Sequence, residues 1–223
     1  MFDRLRILKE KGYFPDTILD IGAHHGNWTI DMKKIYELSK YYLFEAIDYS
    51  QLNRFKYDNN VKVYNVVLND KIEQIKWYQM KNTGDSIFRE KTHNFTNCEI
   101  IDRETIDLNT FILQNNILQN NILQKSQNII IKIDCQGAEM PILKGSTSIL
   151  KKTDFIILEI PLFGQYNEGV PDFLEHISFM NTIGFVTYDI IDNHYINGFN
   201  MQVDVLFINK NHKFNNIVNE LLL

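Results

Sequence analysis

The sequence predicts an α/β fold, a mostly parallel, doubly wound sheet that ends in an antiparallel C-terminal strand. Three observations predict it. Short apolar runs of strand length alternate with helix-like segments from Thr17 to Leu68. A glycine turn, Gly22-Ala23-His24-His25-Gly26, follows the first run. Two late runs, Phe185 to Ile191 and Val203 to Ile208, are joined by a loop and suit an antiparallel hairpin at the sheet edge.

In chain order, residues 1 to 14 form a helical lead-in, and Thr17 to Ala23 is the first strand. A helix is expected near Trp28 to Leu38, a strand over Tyr41 to Ile47, a helix near Ser50 to Tyr57 and a strand over Val61 to Leu68. Residues 71 to 80 intersperse Ile72, Ile75 and Trp77 with polar groups, which predicts a strand or hairpin outside the regular winding. Residues 112 to 124 repeat Ile-Leu-Gln-Asn-Asn. Five residues turn an α-helix through about 500°, so the Ile-Leu pairs walk around the axis and form no single stripe. The repeat is read as a tolerated insertion. Ile129 to Ile133 is a buried-strand run, Ile142 to Leu150 a helix and Phe155 to Ile160 a strand. Pro171 stands where a further helix begins, Phe173, Leu174, Ile177, Met180 and Ile183 mark its apolar face, and Gly184 closes it.

The chain has 223 residues, 44% of them hydrophobic and 13% aromatic, which is the composition of one globular domain spanning the whole chain. A net charge of −5 disfavours nucleic acid as a partner, because phosphate binding draws on clustered Lys and Arg. The opening Met1-Phe2-Asp3-Arg4-Leu5-Arg6 has no apolar leader core and no run reaches bilayer-spanning length, so a cytoplasmic protein without a membrane span is expected. Cys98 and Cys135 provide neither a disulfide framework nor metal-ligand spacing, and they read as small free thiols. Oligomeric state is not legible from the chain.

Where a parallel strand ends, a glycine lets the backbone turn without a Cβ, and the next helix presents free N–H groups to a ligand. Gly22, Ala23, His24 and Gly26 form such a turn, preceded by Asp20. Nineteen residues after Gly26, a second strand ends in Glu45, at the spacing from which a carboxylate reaches two ribose hydroxyls. Dinucleotide sites carry a middle glycine that admits the pyrophosphate, and this turn lacks it. S-adenosylmethionine has no pyrophosphate and fits better than a nicotinamide cofactor. Ala46 adjoins the ribose carboxylate, while Asn65 and Val66, near the end of the third strand, are the candidates to flank adenine.

Asp134 ends an Ile-rich strand, and Glu159 ends the next one in the same way. A charge placed there costs stability unless partnered, so both are candidate catalytic groups, one holding donor or substrate and one accepting a proton. His24 and His25 are adjacent on a loop and generally point apart, so no metal site is assigned. The segment Pro161 to Gly169 places aromatic and amide groups between glycines, suited to a sugar face. A nucleotide-binding module without turnover is the competing reading.

Gly12-Tyr13-Phe14-Pro15 leading into DIGAHHGNWT, the strand YYLFEAI, the element Gly84-Asp85-Ser86-Ile87, the stretch KIDCQGAEMPILKG and the strand FIILEIPLF together carry a resemblance. Over residues 6 to 210 the chain resembles the FkbM family of S-adenosylmethionine-dependent methyltransferases. The resemblance implies a Rossmann-like class I methyltransferase fold acting on oxygen, often of sugars or other natural-product hydroxyls. By position, Gly22, Ala23, Gly26 and Glu45 match the donor-binding elements, and Asp134 matches the acid ending the fourth core strand. His24 stands where the family commonly has Asn. The expected partner is a small-molecule or glycan acceptor.

Overall fold

The computed structural model describes residues 1–117, 128–162 and 167–216. Part of the repeat, residues 118–124, and residues 163–166 of the segment after Pro161 lie outside the described residues.

A helix, α1 (Phe2–Glu10), precedes β1 (Thr17–Ile21), α2 (Asn27–Ile35), β2 (Lys40–Glu45), a 3-10 turn (Ser50–Phe55) and β3 (Val61–Asn65). The chain then leaves the main sheet. It builds β4 (Val67–Asn69), β5 (Glu73–Gln79), β6 (Glu99–Asp107) and α3 (Leu108–Gln114) before returning as β7 (Ile129–Ile133). Two short helices, α4 (Glu139–Lys144) and α5 (Thr147–Leu150), lead to β8 (Thr153–Pro161), α6 (Phe173–Thr182), β9 (Phe185–Ile196) and β10 (Phe199–Asn209). The seven-stranded sheet has the order β3-β2-β1-β7-β8-β10-β9, parallel through β8, with β10 antiparallel to both neighbours. A second sheet of three strands runs β4-β6-β5.

β1 and β7 are buried along their whole lengths because both faces of the sheet are covered, as parallel sheets require. Alternation sorts their side chains into two cores. Leu19, Ile21, Ile129, Ile131 and Ile133 enter one with α4 and α6, and Ile18 and Ile130 enter the other with α1 and α2. Ile112 and Ile117, the first residues of two successive repeat units, are both buried, and the Tyr42 hydroxyl donates to the Ile117 carbonyl at 3.1 Å. The start of the repeat is therefore core, although α3 stops at Gln114.

Four expectations change. The run Val61 to Leu68 is two strands in different sheets, hinged at Val66, whose N–H donates to the Glu45 carbonyl at 3.0 Å. Ser50–Phe55 winds as a 3-10 turn, burying only Leu52 and Phe55. The helix expected over Ile142 to Leu150 breaks at Gly145, where a side chain would strike the Asn69 carbonyl at 2.6 Å. β6 was not expected as a strand; Glu99, Asp102 and Glu104 are exposed on it, while Arg103 turns in to donate to the Ala46 carbonyl at 2.8 Å.

Candidate active site

The strand order reverses between β1 and β7, and in open parallel sheets ligands lie outside the carboxyl ends at such a point. The turns leaving the two strands pack against each other there. The Asp134 N–H donates to the Ile21 carbonyl at 3.0 Å, and a Cβ on Gly22, whose φ is +77°, would sit 1.9 Å from the Asp134 carbonyl oxygen. His24 and Gln136, one on each turn, both adopt left-handed backbone conformations, with φ of 48° and 52°. Such conformations in residues other than glycine concentrate at functional sites. Both side chains line a cavity of about 1050 Å³ that opens over these strand ends.

Of the residues marked in the sequence, Gly22, His24, Glu45, Ala46, Val66, Asp134 and Glu159 line this one cavity. Asp20, Ala23, Gly26 and Asn65 do not, and each has a structural task. Asp20 is wholly buried beneath the turn, where it accepts from the Thr29 hydroxyl at 2.7 Å and faces the Lys132 ammonium at 3.9 Å. The Ala23 N–H donates to the Phe44 carbonyl at 3.2 Å. Gly26, at φ +75°, passes so close to Phe55 that a Cβ would meet the ring at 2.4 Å. The Asn65 amide donates to the carbonyls of Glu45 and Ala46 at 3.0 and 3.1 Å, so it supports the end of β2 rather than facing the cavity.

Glu45 joins two elements. Its Oε2 accepts the His24 N–H at 2.6 Å and its Oε1 accepts the Ile47 N–H at 2.9 Å, which fixes the carboxylate plane at the cavity wall. Burial pushes its pKa up, opposed by those N–H groups. His24 stacks on His25 at 3.7 Å between ring centroids, and both meet the Tyr49 ring edge-on at 4.8 Å. Burial and the adjacent His25 lower the His24 pKa, so the ring is neutral at pH 7.

The opposite end of the cavity is built from carboxyl groups. The Lys132 ammonium lies 3.1 Å from Asp134, and Asp134 with Asp20 raises its pKa despite full burial. Burial opposes the charge on Asp134, but Lys132 outweighs it with help from Gln136 and Glu159, and the Asp134 pKa is lowered. Burial, then Asp134, Asp204 and Glu139, push Glu159 well above the usual carboxyl range. The pair therefore rests with Asp134 ionised and the proton on Glu159. The Gln136 amide donates to Asp134 at 3.3 Å and to Glu159 at 3.0 Å, and the Gln202 amide donates to Glu159 at 2.8 Å. Cys135 also lines the cavity, and burial and Glu139 push the pKa of its thiol well up, which favours the protonated, less nucleophilic form.

The roof is made by residues that the sequence did not single out as site candidates. Trp77 on β5 and the loop after it, including Met80, Asp85, Ile87 and Phe95, close the side over β4. The loop is pinned down by Ser86, whose hydroxyl donates to the Gln136 carbonyl at 3.0 Å, and folded by Asp85, which accepts the N–H groups of Met80 and Lys81 at 2.7 and 2.9 Å. In the sequence, Trp77 marks only a strand outside the regular winding, and the Gly84-to-Ile87 element shows through the family resemblance. Gln202 and His194 were also missed. They reach Glu159 through the register of β8, β10 and β9, which a single strand does not reveal.

Comparison with known proteins bears on the fold and the family. None of the curated proteins matches the chain in sequence. Among solved structures, the chain is similar to a methyltransferase FkbM from Methylobacillus flagellatus, at 12% identity and a TM-score of 0.52, with 86% of this chain and 43% of that one covered. It is also similar to the magnesium protoporphyrin IX methyltransferase of Synechocystis, solved with S-adenosylhomocysteine, at 8% identity and a TM-score of 0.50, with 93% and 81% covered. At such identities these likenesses establish the fold, and the chain spans less than half the length of the Methylobacillus protein. The model of the methyltransferase FkbM domain matches residues 20–187, from the acid beneath the first turn to the start of β9. The chain belongs to the FkbM family of S-adenosylmethionine-dependent methyltransferases.

Proposed function

We propose that this chain is an O-methyltransferase that uses S-adenosylmethionine to methylate a hydroxyl of a sugar or surface-glycan precursor. The observation that carries the donor assignment is the 2.6 Å hydrogen bond from the His24 N–H to Glu45, which brings the glycine turn and the ribose carboxylate together at one wall. Each Glu45 oxygen uses one lone pair on a backbone N–H, and each keeps one for a ribose hydroxyl. Gly22 and His24 then border the methionine end, Ala46 borders the ribose, and Val66 with Phe44 and Leu68 forms an apolar wall for adenine. Asp20, Ala23, Gly26 and Asn65 hold those groups in place from outside the cavity. The bound donor supplies an electrophilic methyl on a sulfonium cation.

A cavity of about 1050 Å³ is at the upper end of the roughly 300–1,000 Å³ of small-molecule sites, with room for a second molecule beside the donor. In this reading Asp134 accepts the acceptor's hydroxyl proton, which its ionised state and its contacts with Lys132 and Gln136 support. Glu159, holding a proton, and the Gln136 and Gln202 amides orient the hydroxyl by hydrogen bonds. Amide and carboxyl groups of this kind suit a polyhydroxylated ring, which supports the sugar reading.

Calorimetry with S-adenosylhomocysteine tests the donor site. The native protein binds it, and Glu45→Ala weakens binding at least about tenfold, as expected for hydrogen bonds to a charged group. Labelled donor incubated with a glycan extract tests the acceptor, with label expected in carbohydrate. No binding by the native protein would remove the donor assignment, and label only in other compounds would remove the sugar.

A further inference from the structure

The path from Glu159 to the solvent is apolar on one side. Gln202, whose amide donates to Glu159 at 2.8 Å, is followed outward along β10 by Met201, and both line the cavity. A bulge lets two successive residues do so, since the register with β9 shifts between Asn200 and Gln202. Beyond it, Phe199 stands directly opposite Ile196 at the tip of the hairpin. Directly paired residues share one face of a sheet, and Ile196 lines the cavity, so Phe199 extends the same face outward. Ile196 is 57% exposed and Phe199 59% exposed. The Leu162 N–H donates to the Met201 carbonyl at 2.8 Å, which sets a further half-exposed apolar residue beside the track. Scattered apolar side chains on a surface are ordinary, but a row that starts at the candidate reaction centre and leaves the cavity is not.

We propose that the acceptor is amphiphilic: its hydroxyl-bearing head sits at Asp134 and Glu159, and an apolar substituent lies along Met201, Ile196 and Phe199. This rests on the methyltransferase reading above and specifies the kind of hydroxyl compound it takes. Three residues of strand separate Gln202 from Phe199, about 10 Å, which an eight-carbon chain spans. The occupant is assigned to the acceptor, not to a separate partner, because Ile196 and Met201 belong to the cavity wall itself.

The test uses the full chain saturated with S-adenosylhomocysteine, whose own binding is measured first so that failure of the donor site is seen separately. It is titrated with methyl β-glucoside and with octyl β-glucoside below its micelle threshold. The heads are the same and only the tail differs. The octyl compound is expected to bind at least about tenfold more tightly, from burial of part of its chain. That advantage should shrink to within about threefold in Ile196→Asn with Phe199→Asn, while S-adenosylhomocysteine binding stays unchanged. Equal affinities for the two glucosides in the native protein would overturn the proposal, as would an octyl advantage that persists in the double variant. Binding to phosphatidylcholine vesicles that the double variant abolishes, without any octyl preference, would overturn it in favour of a membrane surface.

Discussion

At Glu45, two backbone N–H groups already point at the carboxylate, so only an acceptor at both oxygens satisfies the site. Glu45→Gln is therefore not a conservative change. One of its two termini becomes an NH₂ group that faces a backbone donor, and the amide is expected to lose S-adenosylhomocysteine affinity nearly as far as alanine does, by roughly 10- to 100-fold. Calorimetry on the two variants checks this. Lys132 is the counterpart on the other side, a buried ammonium between Asp134 and Asp20 with the Trp28 ring 5.7 Å away. Lys132→Met leaves two carboxylates without their cation, and urea unfolding should show a loss of about 3–5 kcal/mol. Asp134→Asn in the same background should recover part of it. Glu45, Asp134 and Glu159 were legible in the sequence because a charge at the end of an apolar run is conspicuous. His194 was not. It sits near the end of β9, away from the close of any apolar run, and only the sheet brings its Nε2 to 2.7 Å from Asp204 and 3.8 Å from Glu159.

Among the elements, the first turn carries the tightest constraint. Gly22 and Gly12 both have positive φ, at +77° and +85°, but a Cβ on Gly12 meets nothing within 4 Å while one on Gly22 meets the β7 backbone. Gly12→Ala is expected to cost about 1–2 kcal/mol from conformation alone. Gly22→Ala adds the steric conflict and should cost roughly 2–5 kcal/mol in denaturant unfolding, with donor binding impaired as the two turns part. The inner strands β1, β2, β7 and β8 were readable because burial on both faces writes them as nearly continuous Ile, Leu and aromatic runs. The second sheet was only half readable. Trp77 betrayed β5, whereas β6, Glu-Ile-Ile-Asp-Arg-Glu-Thr-Ile-Asp, buries only Thr105 and spells no long apolar run. Likewise the Ser50–Phe55 segment has two buried residues, enough to suggest a helix and too few to lengthen one.

For the molecule as a whole, buried carboxyls link stability to pH. Glu139 is almost completely enclosed, accepting the Cys135 N–H at 2.8 Å, and burial pushes its pKa up to about 7 from an ordinary 4.5. The folded state thus binds a proton that the unfolded state releases above pH 4.5 or so. Its contribution is present in full below that value, declines as pH rises toward 7 and is flat beyond, a loss of roughly 3 kcal/mol. Glu139→Gln should remove that part of the slope, and urea titrations of both proteins from pH 4.5 to 8 measure the difference. The order of the main sheet follows the alternation and the closing hairpin seen in the sequence, since right-handed crossovers and short connections leave few other arrangements.

The three-stranded sheet enters between β3 and β7 and supplies much of the cavity's roof without contributing a strand to the main sheet. The strand-end turns of the cavity and much of its cover are thereby encoded in separable stretches of chain. Substitutions from Trp77 to Phe95 can therefore reshape the cover of the cavity while the packing of the turns that leave β1 and β7 is kept.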